Sequence, residues 1–105
     1  MQPESVGPRV LEIRSYRLKP GSQTTFHNLV VEHSLPLLQR WNVDVVAFGP
    51  SVGDSLGYYL ARAYGSVDAM ECEQEAFYGS SEWINGPRQR IVELIDDCVS
   101  VVLAM

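Results

Sequence analysis

The sequence predicts a single α+β domain, and two patterns carry that prediction. Segments whose side chains alternate every second residue are interleaved with segments of helical periodicity, in the order β-α-β-β-α-β. This order is the ferredoxin-like arrangement, in which helices cover one side of a sheet. The chain has 105 residues, of which 46% are apolar and 20% charged, as is typical of one globular domain.

The first strand is predicted over Val10–Leu18, where side chains alternate between two faces. One face carries Leu11, Ile13 and Ser15, and the other carries Val10, Glu12, Arg14, Tyr16 and Leu18. The Lys19–Ser22 segment, which contains a proline and a glycine, ends the strand.

A helix is predicted from Gly21 to Trp41, and its apolar stripe is the most informative pattern in the chain. The stripe comprises Phe26, Leu29, Val30, Leu37 and Trp41. His33 falls within it at about 100° per residue, so an ionisable ring is expected at a core position, whereas His27 is expected in solvent. Pro36 removes the helical hydrogen bond of the Glu32 carbonyl and predicts a kink beside His33.

Two strands joined by a hairpin are predicted next. Asp44–Gly49 is almost continuously apolar, which indicates cover on both faces. Pro50–Ser55 contains the turn residues of a hairpin connection. The following strand, Leu56–Tyr64, places Tyr58, Leu60, Arg62 and Tyr64 on one face and Tyr59, Ala61 and Ala63 on the other.

The second half of the chain predicts two helices and a last strand. Ser66 is a suitable N-cap and Gly79 a suitable end for the second helix, whose inner side carries Met70, Gln74 and Phe77. Pro87 suits the start of a final helix, which by spacing includes Ile91, Leu94, Ile95 and Cys98. Val99–Leu103 is predicted as the last strand.

One side of the sheet needs a cover other than the helices. We expect that side to carry Val10, Tyr16, Val46, Phe48, Tyr58, Leu60, Tyr64 and Val102. Exposing this surface to water would cost more than the roughly 5–15 kcal/mol by which a typical domain is stable. The simplest cover is the same surface of a second copy about a two-fold axis, which predicts a homodimer.

Charge and composition exclude several classes of partner. The net charge of −5, from 13 acidic and 8 basic side chains, argues against nucleic acid and against an anionic membrane surface. No apolar stretch approaches the roughly 20 residues that span a bilayer, so no membrane insertion is expected. Residues 1–9 have no apolar run and are expected to form a flexible tail before a domain over 10–105. Cys72 and Cys98 match no metal or redox spacing and are expected to be free thiols in the cytoplasm.

Polar side chains on the two central strands form the first candidate site. Arg14 and Tyr16 lie two residues apart on one strand face, and Arg62 and Tyr64 do the same on a strand expected to be its neighbour. Arginine offers a planar fork of donors and tyrosine one directed donor, which suits a floor that binds an anion or a carbonyl group. The alternative is structural, with Glu12 pairing an arginine and aromatic rings packing across a dimer interface.

His33 is the candidate catalytic residue because an imidazole titrates near neutral pH. It would act as a general base or as a haem ligand; the alternative is a core histidine bonded to a carbonyl that Pro36 leaves without its partner. If Arg14 and Arg62 face a second subunit, His33 lies on the opposite side of the sheet. Trp83 is predicted either to wall a pocket or to plug a helix junction. No metal site is predicted, because convergent carboxylates or histidines are lacking, and no cofactor is required.

Two stretches of the chain resemble the NIPSNAP family. Its members open with an E-L-R-x-Y-x-L-K-P-G-like strand and turn and continue with an H-x-x-P-L-like helix, matched here by Glu12–Gly21 and Glu32–Leu38. The stretch Phe77–Trp83, running on to Pro87 and Arg88, is similar to the family's second half. The resemblance implies a dimeric α+β barrel whose relatives include cofactor-free monooxygenases, isomerases, polyketide cyclases and haem-binding proteins, and it implies no particular activity.

Three hypotheses of function follow. The leading one is a homodimer that binds a small polar or aromatic organic ligand, with acid–base or cofactor-free oxygenase or isomerase chemistry at His33. Its ligand-binding residues would be drawn from Arg14, Tyr16, Arg62, Tyr64 and Trp83. The second is a non-catalytic interaction module, suggested by a second apolar arc of the first helix, Val31, Leu35 and Leu38. The third is a haem-binding protein.

Overall fold

The centre of the molecule is a four-stranded antiparallel sheet, seen in a computed structural model that describes residues 9–105. Its strands are β1 (Val10–Leu18), β2 (Asp44–Pro50), β3 (Gly57–Tyr64) and β4 (Ile95–Ala104), in the spatial order β2-β3-β1-β4. With helices between β1 and β2 and between β3 and β4, this is the ferredoxin-like α+β arrangement, which confirms the predicted fold class. Of the predicted tail, residues 1–8 lie outside the described part of the chain.

Helices fill both connections. The first is a continuous helical rod made of α1 (Gln23–Leu29), a π-helical turn (Val30–Ser34) and α2 (Leu35–Arg40). The second contains α3 (Val67–Tyr78), α4 (Ser81–Ile84) and α5 (Arg88–Val92). Residues 9–105 contain no helix whose length and hydropathy together suit a bilayer crossing.

The boundaries of α3 follow the predicted signals, whereas the first helix begins at Gln23, two residues after the predicted start at Gly21. The Ser66 hydroxyl accepts a hydrogen bond from the Ala69 N–H at 3.0 Å and caps α3, and Gly79 follows the last residue of that helix. Gly21 adopts a φ of +80° in the turn between β1 and α1, a conformation that glycine reaches without steric cost. The local sequence therefore sets where these elements begin and end.

The last strand is longer than predicted. Ile95 and Cys98, whose spacing suggests a helix, lie in β4, because α5 ends at Val92. Ile95 pairs with Leu18 and Cys98 pairs with Tyr16, so hydrogen bonding along the length of β1 outweighs the helical spacing. The ladder ends with the Met105 N–H, which donates to the Arg9 carbonyl at 2.9 Å.

The helices pack on the face of the sheet that a second copy was expected to cover, so that expectation is wrong. Tyr58, Leu60 and Tyr64 are buried beneath them, and the rings of Tyr16 and Phe26 of α1 lie 5.3 Å apart. Both faces of β1 and β3 carry apolar residues, so alternation does not tell which face meets a helix. Of the other residues expected there, Val10 is buried, Phe48 is half-buried against the core, and Val46 and Val102 are exposed.

The opposite face of the sheet carries a different apolar set. Side chains on it alternate with those of the helix-covered face along the strands, and the larger apolar ones on β1 and β4 are not part of the packed core of residues 9–105. Its apolar members on β1 and β4, here called the open face, are Leu11, Ile13, Val99, Val101 and Leu103.

The π-helical turn overturns the expected position of His33. Its side chain is exposed, whereas Ser34, the next residue, is buried. At the end of the turn the Leu35 N–H donates to the Val30 carbonyl, five residues back rather than four. The turn thus holds one residue more than an α-helical turn, and a helical period counted across it is out of phase beyond Val30.

His27 also lies elsewhere than predicted. Its ring is half-buried, and Nδ1 lies 2.7 Å from the hydroxyl of the buried Tyr58. The ring stacks on Phe48 of β2 at 6.1 Å between centroids. The neighbouring Phe26, which is 1% exposed, fixes the orientation of α1 and carries the His27 ring onto the edge of the sheet.

The phase of the first helix is open to a direct test. Phe26→Ala removes a ring packed between Tyr16 and Tyr58 and is expected to lower the free energy of unfolding by about 3–5 kcal/mol. His33→Ala removes an exposed side chain and is expected to change it by less than about 0.5 kcal/mol. Urea unfolding of the three proteins measures both. A large loss in His33→Ala would show that the helix has the uninterrupted α-helical phase instead.

Candidate functional site

A buried ion pair joins the two central strands. Glu12 of β1 and Arg62 of β3 are register partners, and they are 2% and 1% exposed. Arg62 donates to one carboxylate oxygen from both Nη2 and Nε, at 2.7 and 3.0 Å. The structural alternative proposed for Glu12, pairing with an arginine, is therefore what the fold contains.

Arg14 adds a second positive charge to the same carboxylate. Its Nη2 donates to the other oxygen of Glu12 at 2.9 Å. Its Nε is buried and has no hydrogen-bond partner within the described chain. Two guanidinium groups thus share one carboxylate, which leaves the cluster one positive charge in excess.

Two side chains of α3 close the cluster from above. The Tyr78 hydroxyl oxygen accepts from Arg62 Nη1 at 2.7 Å and from Arg14 Nη1 at 3.2 Å. Gln74 accepts weakly from Arg14 at 3.5 Å and donates to the Tyr64 hydroxyl at 3.2 Å. These six side chains, called the arginine cluster below, are Glu12, Arg14, Arg62, Tyr64, Gln74 and Tyr78.

The pKa values in the arginine cluster and beside it reflect the charge of the cluster and the burial of its neighbours. Burial alone would raise the pKa of Glu12, but the charges of Arg62 and Arg14, aided by hydrogen bonds, outweigh burial and lower it. Burial raises the pKa of Tyr16, so its hydroxyl stays protonated. Burial also raises the pKa of the Cys98 thiol, which makes the thiol a poor nucleophile near neutral pH.

A cleft of about 420 Å³ opens beside the arginine cluster, between β1, β4 and the helices α3 to α5. Arg14 and Tyr78 form the part of its wall that belongs to the cluster. The rest of the wall comprises Tyr16, Trp83, Arg88, Ile91, Val92, Ile95 and Cys98. A smaller apolar cavity of about 30 Å³ shares Tyr16, Tyr78, Trp83 and Ile91 with the cleft and reaches Ser34 of the π-helical turn.

The predicted ligand-binding residues divide between the cleft and the cluster. Arg14, Tyr16 and Trp83 line the cleft, while Arg62 and Tyr64 lie in the arginine cluster. Trp83 is buried between helices, with its ring 5.3 Å from the Tyr78 ring, and it also lines the cleft.

The expected catalytic residue, His33, is not brought to this site. It is exposed on the helical rod and is absent from the residues that line the cleft. Because of the π-helical turn, the position that a regular helix would give to His33 is taken by Ser34. A catalytic role for His33 stays a prediction that draws no support from this geometry.

Two residues of the site were not anticipated. Tyr78 follows Gln74 by four residues and Met70 by eight, and this spacing on α3 could have marked it as facing the sheet. Arg88 opens α5 and lines the cleft, and it has no ion-pair partner within the described chain. The sequence signal at this point, Pro87, predicts the start of a helix and does not predict a role for the charge of Arg88.

The residues suited to a metal ion or haem do not meet at this site. Residues 9–105 contain no group of three or more histidine, cysteine, aspartate or glutamate side chains placed to hold a metal ion. Cys98 is the one such residue in the wall of the cleft, and its pKa is raised. The usual axial ligands of a haem iron are histidine, thiolate, methionine or tyrosinate, and the tyrosines of the wall are Tyr16 and Tyr78. Burial raises the pKa of Tyr16 and keeps it protonated, and the Tyr78 oxygen already accepts two hydrogen bonds, so this donor set does not fit a haem iron.

Comparison with known proteins places the fold. The NIPSNAP family model matches residues 11–104. A NIPSNAP family protein of unknown function from Agrobacterium tumefaciens str. C58 aligns at a TM-score of 0.85 and 18% identity, over 93% of this chain and 88% of that one. An uncharacterised NIPSNAP domain protein from Burkholderia xenovorans gives 0.81 and 18%, over 91% and 93%.

A more distant likeness extends beyond that family. A candidate antibiotic biosynthesis monooxygenase from Bordetella bronchiseptica aligns at a TM-score of 0.73 and 18% identity, over 94% of this chain and 98% of that one. At these identities the likeness to the solved structures shows the fold alone. No curated protein matches the sequence.

The Glu12 carboxylate is expected to set the acid limit of stability. Glu12→Gln leaves two guanidinium groups without their counter-charge and is expected to lower the free energy of unfolding at pH 7 by about 3 kcal/mol or more. Because the pKa of Glu12 is lowered in the fold, its contribution is complete above its unfolded value of about 4.3 and is lost as pH falls through the folded value.

Urea unfolding between pH 7 and pH 2 measures this effect. The difference between the wild type and Glu12→Gln should shrink below about pH 4. Glu75→Gln, a change of the same kind at an exposed residue of α3, should have the free energy of unfolding of the wild type at every pH. A constant difference across the range would contradict the proposed linkage.

Proposed function

This chain belongs to the NIPSNAP family, and from that premise we propose that it binds a small organic anion with an aromatic or other flat apolar body. The observation that carries the proposal is the charge of the arginine cluster beside the cleft. Two guanidinium groups meet one carboxylate there, within a layer that water reaches poorly.

An unbalanced buried charge is costly, and a bound anion would offset it. Removing a charge from water costs several kcal/mol per ion unless a partner is close. Arg14 is the member of the cluster best able to reach a ligand, because its side chain is 20% exposed and lines the cleft, whereas that of Arg62 is 1% exposed. Arg88 on the rim adds a second positive charge facing the same space.

The remaining wall of the cleft suits a flat apolar body. Tyr16, Tyr78 and Trp83 present aromatic rings, and Ile91, Val92 and Ile95 present aliphatic surface. Its volume of about 420 Å³ lies at the lower end of the range found for small-molecule sites. A planar acid of one or two rings would gain both ring contacts and a charged hydrogen bond.

Binding is better supported than acid–base chemistry. The cleft wall within the described residues contains neither a histidine nor a carboxylate, and Glu12 is engaged by both arginines. Oxygenase or isomerase chemistry on the bound anion, which the wider superfamily suggests, would need a base from elsewhere. His33 would supply one only if it approached the cleft, so His33→Ala is expected to leave ligand affinity unchanged.

Arg14→Gln tests the charge requirement. The variant should bind 2-naphthoate at least about 10-fold more weakly than the wild type, since a hydrogen bond to a charged group contributes about 1.5–3 kcal/mol. Isothermal titration at fixed ionic strength measures the affinity, with 2-naphthamide as a neutral ligand of the same shape.

Arg17→Gln is the matched control. It removes the same charge from the same strand, but the Arg17 side chain lies on the opposite face of the sheet. It should bind as the wild type does. If the wild type binds naphthoate no better than the amide, or if Arg17→Gln and Arg14→Gln weaken binding equally, an anion-binding cleft is the wrong function.

The open face supports a second proposal, that two copies pair through their sheets. Val99, Val101 and Leu103 are 61%, 49% and 46% exposed, and they lie beside the half-buried Ile13 and Leu11 of β1. Charged side chains on this side of the sheet lie at its two ends, with Arg17 and Asp97 at one end and the exposed ion pair of Arg9 with Asp44 at the other. A flat apolar surface with charges at its margin suits an isologous contact about a two-fold axis.

Sedimentation velocity at micromolar concentration tests the pairing. The molar mass obtained for the wild type is expected to be twice the 11.7 kDa of one chain. Val101→Asp, which places a charge in the middle of the open face, is expected to halve that mass. Val52→Asp, a change of the same kind on a fully exposed loop, should leave it unchanged. A wild type that sediments as one chain would show that the open face needs no second copy.

A further inference from the structure

We propose that the Tyr78 hydroxyl is a hydrogen-bond donor to the anionic oxygen of the ligand, and that it makes the cleft selective for oxyanions such as carboxylates over neutral carbonyl compounds. This inference rests on the proposed function and assigns the residue that would recognise the charged atom. It starts from the hydrogen bonds that the hydroxyl already makes.

The Tyr78 oxygen is committed as an acceptor on both sides. It accepts from Arg62 at 2.7 Å and from Arg14 at 3.2 Å, which occupies the lone pairs of a phenolic oxygen. Its own proton is then the one hydrogen-bonding function left. Within the described residues no acceptor lies within hydrogen-bond distance of that proton, while the tyrosine side chain lines the cleft.

Its two guanidinium partners make this hydroxyl a strong donor. Hydrogen bonds donated into an oxygen polarise its O–H group, and the effect is larger where the surroundings have a low dielectric constant. The Arg14 and Arg62 guanidinium carbons also lie 5.4 and 5.6 Å from the Tyr78 ring centroid. An anionic oxygen would gain most from such a donor, because charge-assisted hydrogen bonds are about twice as strong as neutral ones.

Arg14 supplies the second donor. Of its five N–H groups, three have partners in the described chain: Tyr78 on Nη1, and Glu12 and Gln74 on Nη2. Two N–H groups are left: the buried Nε–H and one on Nη1, and the Nη1 nitrogen lies 3.2 Å from the Tyr78 oxygen. This Nη1 group and the Tyr78 hydroxyl are close enough to converge on one oxygen of a carboxylate.

Tyr16 is a weaker candidate for this role. Its ring lines the cleft, and burial raises the pKa of its hydroxyl, but no guanidinium group donates to that oxygen in the described chain. Its ring packs against Phe26, which points to shaping the cleft.

The experiment compares Tyr78→Phe with the wild type, using 2-naphthoate and 2-naphthamide as probes in isothermal titration. Phenylalanine keeps the ring that packs against Trp83 and removes the hydroxyl alone. The variant is expected to bind the carboxylate about 10- to 100-fold more weakly and the amide less than about 5-fold more weakly. Tyr59→Phe, which removes a hydroxyl from the opposite face of β3, should change neither affinity.

The outcomes separate this inference from the proposed function. An equal loss for both probes would give Tyr78 a structural role and overturn the inference. Unchanged carboxylate affinity in Tyr78→Phe, together with a loss in Arg14→Gln, would overturn it while leaving the anion site intact. A wild type without preference for the carboxylate would overturn the proposed function itself.

A second measurement on the wild type remains decisive if Tyr78→Phe does not fold. A crystal structure with 2-naphthoate should place a carboxylate oxygen within about 3.2 Å of Tyr78 Oη. A carboxylate held by Arg88 alone, beyond the reach of Tyr78, would overturn the inference.

Discussion

Glu12 and Arg62 face each other across β1 and β3 with almost no access to water, and the form of the site depends on their attraction. A charge buried in this way is tolerated only with a partner at hydrogen-bond distance. The antiparallel register supplies that partner, because it sets Glu12 opposite Arg62. A shift of one residue would turn one of the two side chains to the other face of the sheet.

The pair also determines what else can lie beneath α3. Each carboxylate oxygen receives an arginine, so a second guanidinium group enters the layer without a carboxylate of its own. Tyr78 and Gln74 supply neutral acceptors for three of the remaining donors. Neutral acceptors satisfy hydrogen bonds but do not balance charge, so an excess positive charge stays next to the cleft.

Much of this arrangement follows from local patterns in the sequence. The alternation in Val10–Leu18 and in the strand ending at Tyr64 puts Glu12, Arg14 and Arg62 on neighbouring strands, as the structure does. The side of the sheet that they face does not follow, because apolar residues occupy both faces. Tyr78 completes the site from a helix distant in sequence, and only packing reveals which strand residues it meets.

His33 illustrates a different limit. Counting a regular helical period through Gly21–Trp41 requires every turn to have the same number of residues. The Val30–Ser34 turn does not, and no residue type in it marks the change, although Pro36 lies close by. The inner face therefore passes from Val30 to Ser34 and on to Leu38, and the histidine is left outside.

The π-helical turn Val30–Ser34 also bears on how the first helix tolerates changes in length. The side chains buried along the rod, Phe26, Val30, Ser34, Leu37 and Leu38, are spaced slightly too widely for a regular α-helix. Shortening the turn by its exposed Val31 would bring the later ones back to α-helical spacing on the same face. We therefore expect this helix to accept a one-residue change of length at the π-helical turn without repacking of the core, and expect homologous chains that differ in length here to differ at that turn.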